Sequence, residues 1–148
     1  MDALRLLKEQ HDEVKDLFKE IEKAEGERAG KLFNAIRDRI TLHEELEETH
    51  LYPQLKEDDK AGELVLESYQ EHHVMDLLLE EIGKLEPDDE AFEPKVKVLQ
   101  ENTDHHIEEE EKELFPMVRK MWDTDKREQV GRKMEELKRS REGTSKAA

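Results

Sequence analysis

Two histidines, His43 and His106, are each followed four residues later by a glutamate, Glu47 and Glu110, and each pair runs on to a Leu-aromatic-Pro ending. The two stretches read "HEELEETHLYP" and "HIEEEEKELFP", one pattern written twice. On a helix, residues four apart share a face, one turn up. An imidazole nitrogen and a carboxylate oxygen on such a face reach the same point, as ligands of one cation must. Two further histidines, His11 and His72, stand alone in the middle of apolar stripes. "EQHDEVKDLFKEI" lies over "QEHHVMDLLLEEI" when His11 is set on His72. Val14, Leu17, Phe18 and Ile21 then fall on Met75, Leu78, Leu79 and Ile82, and this alignment selects His72 over its neighbour His73.

If all four stripes face inward, the centre holds four imidazoles and two carboxylates. Left unpaired, each buried charge there would cost several kcal/mol or be neutralised by a shifted pKa. A metal removes that cost. Six ligands exceed one tetrahedral zinc and suit two ions, each with about two histidines, with both carboxylates bridging. Imidazole and carboxylate together, with positions left open, favour iron; manganese and zinc also fit. Two redox-active ions with vacant positions invite dioxygen or peroxide. The plain structural alternative is a metal-free bundle with a polar core layer. Any single piece is weak in a chain with 41 Asp and Glu; the joint pattern of four centred histidines and two matched glutamates favours metal.

Helical periodicity supplies the elements that must position these groups. The first helix carries Leu4, Leu7, His11, Val14, Leu17, Phe18 and Ile21, and ends at the glycines of "AEGERAG". The second carries Leu32, Phe33, Ile36, Ile40, His43, Glu47 and Leu51 until Pro53 ends or kinks it. The third runs from about Glu63 to Leu85, with Leu66, Tyr69, His72, Met75, Leu78, Leu79 and Ile82 on one side. The fourth, with Pro94 in its first turn, carries Val96, Leu99, Thr103, His106, Glu110, Leu114 and Met117, and Pro116 matches Pro53. After Trp122, "DTDKREQVGRKMEELKRSR" predicts a short fifth helix and "EGTSKAA" a frayed tail. No alternating segment predicts a strand. The fold expected is all-α: an antiparallel up-down four-helix bundle over residues 1–122, with a short extra C-terminal helix and tail over 123–148.

Composition narrows the function. The 148 residues suit one domain, and the net charge of −16 disfavours nucleic acid or an anionic membrane as the main partner. From Thr124 onward eight Lys/Arg face five Asp/Glu, a net of +3, so the rest carries −19. With no cysteine, thiolate metal sites, disulfides and thiol catalysis are excluded. No apolar run approaches the ~20 residues of a membrane span, and "MDALRLLKEQ" lacks the features of a signal peptide. A cytoplasmic monomer is the expectation.

The order His, His-x-x-x-Glu, His, His-x-x-x-Glu, with aromatic-Pro after the pairs, resembles the hemerythrin-like (HHE cation-binding) family over roughly residues 3–122. The resemblance implies a four-helix bundle around a non-haem di-iron centre. By that likeness His11, His43, His72 and His106 are terminal ligands, and Glu47 and Glu110 bridge two irons alongside an oxo or hydroxo group. The oxygen-carrying members have an extra histidine one turn after the third-helix ligand; here Asp76 stands there, and Lys15 holds the equivalent place on the first helix. The departure favours peroxide decomposition, iron handling or sensing over oxygen carriage. The partner expected is a small molecule: dioxygen, peroxide or nitric oxide.

His105, five residues before Glu110, competes with His106 as ligand, although the repeat favours His106. His50 is expected beside the site or in solvent, and His73 on the surface. A ferritin-like carboxylate site would need two Glu-x-x-His pairs, and only Glu47–His50 matches. The basic last helix as a partner-binding element is the remaining alternative.

Overall fold

In the computed structural model, residues 1–147 are described, with side chains through Gly143. Helix α1 spans Ala3–Ile21, α2 Gly26–Leu46, α3 Asp59–Gly83 and α4 Phe92–Glu109; α5 (Phe115–Met121) continues the line of α4, and α6 spans Thr124–Ala147. Helices α1 to α4 pack as an antiparallel up-down bundle, chiefly as α1 against α2 and α3 against α4. No strand occurs among the described residues. The caps follow ordinary chemistry: Asp2 accepts from the Leu4 amide and Asp58 from the Ala61 amide, both at 2.8 Å. Gly26 starts α2 at φ +57°, a conformation glycine adopts without steric cost.

The bundle has two apolar half-cores. Ala3, Leu4 and Leu7 join Leu46, Leu51, Leu55, Val65 and Leu114 at one end. Val14, Phe18 and Ile21 join Ile36, Ile40, Met75, Leu79 and Leu99 at the other. Along every helix the residue between the two sets is polar and buried: His11, Glu47, His72, His106 and Glu110. The hydrophobic pattern therefore places the polar layer at mid-height by packing apolar residues above and below it.

Three local details depart from the sequence reading. Leu66 is 60% exposed, and Val65 and Ser68 occupy the inward positions instead. The last helix is not short: α6 has 24 residues and runs to Ala147, through the region expected to fray; of that region, Ala148 lies outside the described residues. Its length is explained by anchorage. Helix α6 packs on α1 and α2, Arg127 Nε donates to the α1 cap Asp2 at 2.8 Å, and Arg141 Nε donates to Glu45 of α2 at 2.8 Å. A Cβ at Gly131 would overlap the Met1 carbonyl oxygen and lie 2.9 Å from the Ala3 nitrogen, so glycine permits this close approach.

The third departure matters most for function. Neither α2 nor α4 simply ends or kinks at its proline. Each widens into a π-helical turn that begins at the glutamate of the pair, Glu47–Leu51 and Glu110–Leu114. The Tyr52 and Phe115 amides bond to the carbonyls five residues back, of Glu47 and Glu110. A proline ring clashes with the carbonyl four residues before it, and one extra residue in the turn relieves that clash. The widened turn also brings the residue five after each glutamate, Tyr52 or Phe115, into the interior, where both are fully buried.

Candidate metal centre

The six residues singled out by the repeat meet at the middle of the bundle. His11 and His43 come from α1 and α2, His72 and His106 from α3 and α4, and the glutamates from the first positions of the two π turns. Two groups share Glu47: His11, His43, Glu47 and Glu110 lie within metal-binding reach of one another, as do Glu47, His72 and His106. The Nε2 atoms pair across the bundle, His11 with His43 at 3.2 Å and His72 with His106 at 3.2 Å. Glu110 Oε1 is 3.1 Å from His11 Nε2, and Glu47 Oε1 is 3.2 Å from His72 Nε2.

An outer ring fixes the orientation of all four imidazoles. His11 Nδ1 donates to Glu111 at 2.6 Å, His72 Nδ1 to Glu48 at 2.8 Å, His106 Nδ1 to Glu71 at 2.6 Å and His43 Nδ1 to the Gln10 carbonyl oxygen at 2.7 Å. Carboxylates and amide oxygens only accept, so each Nδ1 carries the proton. In the neutral rings every Nε2 is then an inward lone pair. Four lone pairs and two carboxylates converge, two pairs of nitrogens are in van der Waals contact, and Glu47 Oε2 is buried with no hydrogen-bond partner, its nearest neighbour of opposite charge being His43 Nε2 at 3.4 Å. Acceptors so arranged repel one another until a cation stands between them, and the donor set fits one or two metal ions.

In the metal-free site, protons supply the missing charge. Burial opposes a charge on His43, but Glu47 and Glu110 outweigh it and hold its pKa at about 9. His106 is likewise pushed well up by Glu110 and Glu47 against its burial. Burial works against ionised Glu47 too, yet His43 and the other partners hold it well below the usual carboxylate range.

Tyr52 is a site residue that sequence reading passed over. Its hydroxyl reaches Glu110 Oε2 at 2.6 Å and Glu47 Oε1 at 2.9 Å, and lies 3.4 Å from His72 Nε2. Burial, then Glu110 and Glu47, push the phenol's pKa well up, so it stays a donor. At the matching place Phe115 stacks on His11, with ring centroids 5.8 Å apart and planes 2° off parallel.

A cavity of about 20 Å³ adjoins His11, His43 and His106, walled by Gln10, Val14, Arg39, Ile40, Glu44, Met75, Thr103 and Ile107. That is room for about one water-sized molecule. The Thr103 hydroxyl is committed to the Leu99 carbonyl at 2.8 Å. Glu44 is buried with its Oε2 unpartnered, and burial, then Asp76, raise its pKa to about 10.

His105 lies outside the central cluster. It is 66% exposed and faces Glu71 and Glu109 on the outer side of His106. His73 is exposed, and half-buried His50 is near Lys133 and Glu136 rather than the six. Lys15 lines a charged groove with Asp104 and Glu111, and Asp76 is exposed beside Glu44, so neither takes the place of a ligand.

The bundle and its cluster are those of a metal-binding protein of the hemerythrin type. Residues 2–118 match the model of the hemerythrin HHE cation-binding domain, and the chain belongs to that family. It is similar in fold to the crystal structure of a hemerythrin HHE cation-binding domain-containing protein from Mycobacterium kansasii, with a TM-score of 0.82 over 97% of this chain and 89% of that one at 24% identity. A curated relative, named a DNA nickase, from Nostoc sp. is 28% identical over 130 residues. That match takes in 87% of this chain but only 37% of the relative. Among the described residues no helix is long and apolar enough to cross a membrane.

Proposed function

We propose that His11, His43, Glu47, His72, His106 and Glu110 hold two iron ions joined by an oxo or hydroxo bridge, and that the protein decomposes hydrogen peroxide. His11 and His43 would hold one ion and His72 and His106 the other, with Glu47 and Glu110 within reach of both. One observation carries this reading: six inward donors, one carboxylate oxygen among them without a hydrogen bond, converge beside a cavity with room for a single small molecule. Residues 1–122 form the metal-binding unit, and the helix that follows buttresses one side of it.

Iron at such a site supplies reversible electron exchange, by which one peroxide yields dioxygen, two electrons and two protons, and a second peroxide takes these up to become two waters. The chain's own part is selection and placement. Val14, Ile40, Met75 and Ile107 keep the cavity small and apolar. Tyr52 places its single O–H between the two shared carboxylates, 2.9 Å from Glu47 Oε1 and 2.6 Å from Glu110 Oε2, and holds their oxygens in place. Glu44, whose buried Oε2 has no hydrogen-bond partner, is part of the cavity wall. That oxygen favours peroxide, which can hydrogen-bond to it as a donor, over dioxygen or nitric oxide, which cannot. The largely apolar walls favour the second reading, in which the protein reversibly binds dioxygen or nitric oxide for sensing or carriage, or handles iron. The name of the Nostoc relative raises DNA as a substrate, against which the net charge of −16 argues.

Dioxygen release from added peroxide tests the choice. Iron-loaded protein should evolve dioxygen, and Val14→Phe, which fills the cavity, should lower the rate at least about tenfold while both irons stay bound. No release, with a reversible spectral change under dioxygen or nitric oxide, selects the second reading. Undiminished release from Val14→Phe removes the cavity from the account.

A further inference from the structure

The two halves of the site follow one rule and break it at two places. In each half the residue before the lone histidine holds the paired histidine: Gln10 holds His43, and Glu71 holds His106. In each half the residue after the shared glutamate crosses to the other half's lone histidine: Glu48 holds His72, and Glu111 holds His11. The first break is Gln10 against Glu71, a neutral amide against a carboxylate. The second is Phe115 against Tyr52, an apolar ring on His11 against a phenol beside His72. The His72–His106 pair has carboxylates on both rings and a phenol close by; the His11–His43 pair has one carboxylate, one amide and a phenyl ring.

A carboxylate that accepts the Nδ1 proton makes the other ring nitrogen a stronger donor, and its charge also stabilises a cation one ring away. An amide oxygen does this more weakly. The cavity touches both histidines of the weaker pair, His11 and His43, with Gln10 behind them, but only His106 of the other pair.

We infer that the two metal positions are unequal: His72 and His106 form the tighter, first-filled position, His11 and His43 the weaker, later-filled one that faces the cavity, and Gln10 and Glu71 are the positioning residues that set the difference. The inference rests on the reading of the six residues as metal ligands. The small molecule would then meet the more weakly held ion, while the tighter one anchors the shared carboxylates.

Titration of the metal-free protein with Co²⁺, followed by calorimetry and by the ligand-field spectrum, tests this without any turnover. Two successive steps are expected, differing about 10–100-fold in affinity. Glu71→Gln, a nearly isosteric change, should weaken the tighter step by a similar factor and bring the two together. Gln10→Glu should strengthen the weaker step, a gain that a merely structural role would not produce. Two equal steps in the wild type, or two steps that neither substitution moves, overturn the inequality and leave the metal site standing. No binding at all overturns both.

Discussion

Glu47→Ala should abolish peroxide turnover and leave the protein unable to hold its pair of metals. Glu47 is completely buried and faces three of the four histidines: His43 at 3.4 Å, His72 at 3.2 Å and His106 at 3.7 Å. It belongs to both ligand groups, so its removal damages both positions at once, whereas loss of one histidine damages one. The substitution also removes one of the two carboxylates, Glu47 and Glu110, that offset the burial of His43 and His106. We expect less than about a tenth of the wild-type iron, since losing a ligand costs at least the ~10–100-fold in affinity that losing an outer-shell partner does, and turnover reduced to background. Iron content by elemental analysis and dioxygen evolution on the same sample check both halves. Full turnover in Glu47→Ala would remove Glu47 from the centre.

The second large effect is stabilisation by metal. A metal bound a thousandfold above its dissociation constant stabilises a fold by about 4 kcal/mol, which in a chain of this size raises Tm by roughly 8–16 °C. Removing the metal with a chelator should lower Tm by that amount. The gap should also depend on pH. In the metal-free fold His43 has its pKa raised from 6.5 to about 9. Its contribution is therefore fully present below pH 6.5 and lost as pH rises through about 9. Glu44, raised from 4.5 to about 10, acts in the same direction across that window. Metal-free protein should thus lose stability between about pH 6.5 and 9. Metal competes with the proton on His43, so its affinity rises over the same range. Thermal scans with and without metal should show a gap that widens from pH 6.5 to 9. A gap that stays constant or narrows would contradict the assignment of His43 as a ligand.

The central six residues were legible because two signals coincide at them: a stripe that turns polar at mid-height on each of four helices, and a repeat that writes the pattern twice. The ring around them was not. Glu48, Glu71 and Glu111 are three glutamates in a chain with 41 acidic residues, and adjacent acids read as solvated surface. Their signal lay in the repeat, as the residue after each shared glutamate and the residue before each lone histidine. Tyr52 was visible only as half of an aromatic-Pro pair. Periodicity of 3.6 places a residue five positions on to one side of its partner, and only the π turn carries the Tyr52 hydroxyl onto Glu47 and Glu110. The proline six residues after each glutamate was the available clue. The length of α6 was hidden for a different reason: its hold on α1 and α2 comes from Val130 and Met134, buried in the half-core of Leu4 and Leu7, and from ion pairs to Asp2 and Glu45, contacts distant in sequence.

The most direct measurement of the central claim is metal content and electronic spectrum of protein purified from iron-replete cells. The account predicts about two irons per chain, with near-ultraviolet bands from an oxo-bridged pair that disappear on reduction. A folded, thermally stable chain that binds neither iron nor any other transition metal would show that the polar layer is structural, and the metal centre proposed at His11, His43, Glu47, His72, His106 and Glu110 would be wrong.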